Sequence, residues 1–147
     1  MTIITNDTEF QAAINDLEIA QQRAVAALFV KNVVSLNKDE RIMHALNVAE
    51  NTDASKDELQ MVYKSAKAAH VESYTNCGAD GDWFAQAGHH VATATAAAVN
   101  PNAEANIAWE VAMHCRLART CERIAQEQSY TNTENQDQYQ LLADFSG

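Results

Sequence analysis

The chain reads as an all-α protein, a compact single-domain bundle of about five to six helices over residues 1–147. Three observations predict this. There are 27 alanines but only four glycines and a single proline, Pro101. Alanine is the strongest helix former, so scarce breakers favour long helices. No run alternates β-branched or aromatic residues with polar ones as a strand would. Apolar residues instead recur every three or four positions, and a chain of this length buries a real core without staples.

The first helix is predicted over about 8–36, where Phe10, Ala13, Leu17, Ala20, Ala24, Leu28 and Leu36 keep one stripe. Asn37 with Glu40 reads as a capping box opening a second helix over 39–50, with Ile42, Leu46 and Ala49 inward. Ser55 with Glu58 is another box, opening a third helix over 56–74 lined by Leu59, Val62, Ala66 and Ala69. The segment TNCGADGD is the most loop-like in the chain. A fourth helix over 82–99 ends at Asn100-Pro101, where proline prevents simple continuation. The fifth, over 102–128, carries Ile107, Val111, His114, Ala118, Cys121 and Ala125 on one face. The polar stretch SYTNTENQDQ leads into a last short helix over 134–145 that docks Tyr139, Leu141, Leu142 and Phe145. No repeat of fixed period is present.

The net charge of −10 is spread along the chain rather than held in a tail. Such a field repels nucleic acid and anionic membranes, so direct contact with either is not expected. It speeds encounter with a basic protein partner, although many proteins are acidic for solubility alone. The longest strictly apolar run, Ala24 to Val30, is too short to span a bilayer. Three cysteines, Cys77, Cys115 and Cys121, follow no framework spacing, and the start MTIITNDTEF lacks the pattern of a secretory signal. A cytoplasmic setting with packed thiols is expected.

Histidines are the first candidates for chemistry. His70 in SAKAAH, His89 and His90 in AQAGHHVATAT, and His114 in WEVAMHC each follow small residues on a predicted helix. Small residues let helix backbones approach closely, which places imidazoles at the seams. His70, His90 and His114, with Glu110 one turn before His114, are weak candidates for a zinc or iron site built across a bundle. No cofactor is the leading expectation, because the paired Glu-x-x-His motifs of di-iron bundles are missing and a packed, hydrogen-bonded imidazole is the commoner use. His114 adjoins Cys115, but neighbouring helix residues point about 100° apart, so no nucleophile–base pair forms there. No catalytic residue is assigned.

Arg116, Arg119 and Arg123 form a basic stripe best explained by internal pairing with carboxylates such as Glu122 or Glu127. Asp80-Gly81-Asp82 is short of calcium ligands and reads as a turn capping the fourth helix, after which Trp83 and Phe84 begin an apolar face.

From Leu17 to Ala118 the chain resembles a family of helical immunity proteins associated with bacterial polymorphic toxin systems. The resemblance rests on AQQRAVAALFVK, DERIMHALNVAE, SAKAAHVES and AGHHVATAT. Where members commonly continue the last motif with a further histidine, this chain has Thr95. The resemblance implies a stoichiometric inhibitor that covers a toxin, and the charge suits a basic one such as a nuclease. Asp80, Asp82, Trp83, Glu104, Glu122 and Glu127 are the expected partner-binding residues, with a few aromatic anchors supplying affinity. A phage-borne inhibitor of a host nucleic-acid-binding defence complex relies on the same physics. A metal-binding bundle enzyme or sensor, and a homo-oligomeric scaffold whose apolar seams pair between subunits, are the alternatives.

Overall fold

A break at Asp16–Glu18 divides the predicted first helix in two. In the computed structural model, which describes residues 3–76, 82–104, 106–126 and 132–146, α1 spans Asp7–Asn15 and α2 spans Ile19–Lys31. A 3-10 turn at Val34–Leu36 follows. The apolar stripe runs through the break, so periodicity could not reveal it; capping chemistry makes it. The Glu18 N–H donates to Gln21 Oε1 at 3.1 Å, and the Glu18 carboxylate accepts from the Gln21 backbone. This reciprocal box starts a new helix.

The remaining helices are α3 (Glu40–Glu50), α4 (Lys56–Asn76), α5 (Trp83–Val99), α6 (Ile107–Ala125) and α7 (Glu134–Ser146). The described residues thus hold seven α-helices rather than five or six, and no strand. The expected Ser55–Glu58 box forms, with both reciprocal bonds at 3.1 Å. The Asn37–Glu40 box does not. Asp39 caps α3 by accepting from the Arg41 N–H at 3.0 Å, while the Asn37 amide donates to the Gly88 carbonyl at 2.9 Å. The helix predicted from 102 begins at Ile107, because Asn100 turns the chain first and its Oδ1 accepts from the Asn102 N–H at 3.0 Å.

Antiparallel α5 and α6 form the centre. The side chains of α4 meet α5 in reversed order, His70 against Thr93 and Ser73 against His89. On the other side α2 runs parallel to α6, so that Gln22 meets Ala108 and Asn32 meets Arg119. α7 lies antiparallel on α6, bonded through Gln138 to the Ala112 carbonyl and through Glu134 to Arg119. Small residues make the close approaches: Ala66, Ala87, Ala92, Ala94, Ala98, Ala108, Ala112 and Ala118 are fully buried. At Gly88 an added Cβ would stand 3.0 Å from the Leu36 carbonyl oxygen, which explains why the AGHH motif carries a glycine.

Two polar residues of α2 are buried where the α5–α6 connection begins. Arg23 donates from Nε to the Ala98 carbonyl at 3.1 Å and from Nη2 to the Asn100 carbonyl at 2.8 Å. These are the carbonyls a helix leaves unsatisfied at its C-terminus. Gln22 Oε1 accepts from the Ala108 N–H in the first turn of α6 at 3.3 Å. At the outer side, Phe10 packs between Phe29, Trp109 and Tyr139 with centroids 5.6, 6.0 and 5.3 Å away. The Arg116 guanidinium lies over the Phe10, Trp109 and Tyr139 rings and bonds Asp7 and Gln138. No helix among the described residues is long and apolar enough to cross a membrane.

Candidate functional site

The seam of α4, α5 and α6 gathers the imidazoles that the sequence placed on separate helices. His70 and His89 stack with ring centroids 4.8 Å apart and planes inclined by 29°. His90 follows at 6.0 Å from His89, and the Tyr74 ring meets His89 from the edge of α4 at 5.6 Å. The three imidazoles are half-buried, as the neighbouring alanines require of a bulky polar group at a tight seam, while Tyr74 is exposed at its rim.

Two hydroxyls fix the stacked pair. Ser73 Oγ donates to the His70 carbonyl at 2.7 Å and lies 2.9 Å from His89 Nδ1. Thr93 Oγ1 donates to the His89 carbonyl at 3.0 Å and lies 2.9 Å from His70 Nδ1. A hydroxyl has one proton, and here each is committed to a carbonyl. Each oxygen is therefore the acceptor for an imidazole Nδ1–H. The neutral rings are thereby set as Nδ1–H tautomers, with their basic lone pairs at Nε2.

Burial is the first cause holding His89, His90 and His114 below the ordinary imidazole pKa. Mutual repulsion adds to it: His89 is further depressed by His70, His90 and His114, and His90 by His114. Glu110 pulls the other way on His114 without reversing the direction. His114 Nδ1 is buried with no hydrogen-bond partner among the described residues. Burial thus favours the neutral form of His89, His90 and His114.

His70, His90 and His114 do lie on one seam, but His89, left out of the candidate set, supplies its tightest ring contact. Among the described residues no three His, Cys, Asp or Glu side chains are placed to hold a metal ion. Cys115 is fully buried and its thiol is pushed well up by desolvation, the opposite of a reactive cysteine. Cys121 is buried as well. Thr95 is fully buried and donates to the Val91 carbonyl at 2.8 Å.

The expected partner-binding residues separate. Asp82 is exposed and caps α5, accepting from the Ala85 N–H at 3.0 Å; Glu104 is exposed; Trp83 is half-buried. Glu122 is not an exposed steering charge. It is half-buried and paired with Arg119 at 2.7 Å, because its position three residues on puts both on one face. Asp80, Glu127 and Cys77 lie outside the described residues. Internal pairing of the basic stripe holds for Arg116 and Arg119: Arg119 meets Glu122 as expected, and Asp7 and Glu134 add pairs from distant helices.

The charges segregate by depth. Every arginine is buried or half-buried, and the exposed cations are Lys38, Lys56, Lys64 and Lys67. Exposed carboxylates are far more numerous; Glu9, Asp16, Glu18, Glu40, Asp53, Asp57, Glu58, Glu72, Asp82, Glu104, Glu110, Asp137 and Asp144 are spread along the chain. Comparison with protein-family models, curated proteins and solved structures finds no match to this chain.

Proposed function

We propose that this chain is an acidic helical binding protein of the immunity type, which neutralises a basic toxin or effector by stoichiometric contact. The observation that carries the reading is the segregation of charge just described: guanidinium groups are spent inside while carboxylates dominate outside. A surface prepared in this way steers a cationic partner and penalises an anionic one. Exposed aromatics, Tyr74 at 69 % and Phe84 at 54 % exposure, flank the α4–α5 connection with Glu72 and Asp82 beside them in sequence. Apolar anchors beside carboxylates suit a contact in which rings supply affinity and charges supply the encounter rate.

The test is a growth assay with the toxin encoded beside this gene, expressed alone and with this protein. Rescue, with a one-to-one complex whose association rate falls as salt rises, supports the reading. A complex whose association ignores salt, or a toxin that stays lethal, overturns it.

A further inference from the structure

We infer that the outward face of α4 is an interface for a second copy of this chain, paired antiparallel about a two-fold axis near Ala68. α4 packs inward mainly on α3 and α5, burying Leu59, Val62, Ala66 and Ala69. Its opposite face carries an open groove of about 640 Å³ lined by Tyr63, Lys64, Lys67, Ala68, Val71 and Glu72, with Gln60 at one end. Met61 is 74 % exposed and Val71 54 %, values that leave large apolar groups in water. Met61, Lys64, Ala68 and Val71 are spaced three, four and three residues apart, the seam of a helix that pairs with another helix.

Charge selects the occupant. Lys64 stands one turn before Ala68 and Glu72 one turn after it. An antiparallel copy crossing at Ala68 therefore brings each Lys64 against the Glu72 of the other chain, twice by symmetry. A parallel copy would set Lys64 against Lys64. Ala68 has the small side chain a close crossing needs. The face holds Lys64 and Lys67, half of the exposed cations among the described residues, which lowers the repulsion between two such acidic bodies there. Glu72 already meets Arg41, yet its side chain remains 63 % exposed and has room for a second cation. A single-helix face is at or below the small end of specific interfaces, about 1,200 Å² in total, so the dimer is weak and reversible.

Sedimentation velocity on the full chain, from low micromolar to sub-millimolar concentration, tests this. The wild type is expected to pass from monomer to dimer, and Ala68→Arg to stay monomeric. Because position 68 is exposed, far-ultraviolet circular dichroism of that variant is expected to match the wild type. Lys64→Glu weakens the dimer roughly tenfold, and Lys64→Glu with Glu72→Lys recovers most of the loss. A wild type that remains monomeric throughout, a dimer that survives Ala68→Arg, or a double variant no better than Lys64→Glu overturns the inference. So does association that proceeds beyond two copies.

Discussion

His70 and His89 lie face to face at 4.8 Å, each held through Nδ1 by the hydroxyl that also donates to the other's carbonyl. The arrangement is reciprocal: Ser73 bonds the His70 backbone and the His89 ring, and Thr93 does the converse. Two helices are thus cross-tied by two hydrogen bonds between hydroxyl and ring, each hydroxyl being anchored by a second bond to a carbonyl of its own helix.

The first prediction concerns acid. His89, His90 and His114 are held below the ordinary imidazole range, so between pH 6.5 and their folded values the unfolded chain binds more protons. Stability then rises with pH across that window. It is fully present above about pH 6.5 and is lost as pH falls through the folded values. Around the seam the facing groups are Ser73, Tyr74 and Lys67 on α4, Thr93 on α5 and Glu110 on α6, and the Glu110 carboxylate opposes the depression of His114. Urea unfolding followed between pH 7.5 and 5 should show the decline. The variant His90→Gln should flatten it, and an unchanged slope would remove this account.

The second concerns the hydroxyls. Ser73→Ala and Thr93→Val each remove one tie and should cost about 1 kcal/mol. The double variant should fall short of the sum, because both hydroxyls hold one ring pair. Nitrogen-15 spectra of the wild type should show His70 and His89 protonated at Nδ1. Signals of the Nε2–H tautomer for both rings would contradict the assignment.

A third prediction follows from Glu134, whose side chain is 1 % exposed and accepts from Arg119 Nε at 2.9 Å and from Asn32 Nδ2 at 2.6 Å. Arg119→Met strands a buried carboxylate and should cost about 3–5 kcal/mol. Adding Glu134→Gln to Arg119→Met should return part of that loss, since the stranded charge is then gone. The check is a urea midpoint shift with an unaltered denaturant slope.

Gly88 supplies the fourth. A helix-interior glycine ordinarily gains about 0.5–1 kcal/mol on replacement by alanine. Here the new Cβ would press on the Leu36 carbonyl, a backbone atom of a turn that Asn37 ties to Gly88 itself. Gly88→Ala is therefore expected to be destabilising, by about 1 kcal/mol, and Gly88→Val by several times more. A stabilised Gly88→Ala would show that the turn yields easily.

The helical class was legible because alanine content and spacing act locally, and five of the predicted segments recur with shifted ends. The α1–α2 break was not legible: Phe10, Ile14 and Leu17 keep their periodicity across it, while the decisive Glu18–Gln21 box looks like two ordinary polar residues. The seam was half legible. Small-small-His patterns placed imidazoles near close helices, but register decides which rings meet, and register depends on tertiary packing. Ser73, three residues after His70, and Thr93, four after His89, carried a readable signal, since hydroxyls at those spacings reach the carbonyl one turn back. The Arg119–Glu122 pair was legible because both partners lie on one helix, whereas Asp7 and Glu134 had to arrive from other elements.

The buried or half-buried, carbonyl- and carboxylate-bonded state of the arginines has a chemical consequence for the intact molecule. Guanidinium groups act as rivets, so the positive character available to reagents, enzymes or modifiers rests on a few ε-amines. Acylating Lys38, Lys56, Lys64 and Lys67 would leave an exterior bearing almost nothing but anions, with the fold's own cations untouched beneath it.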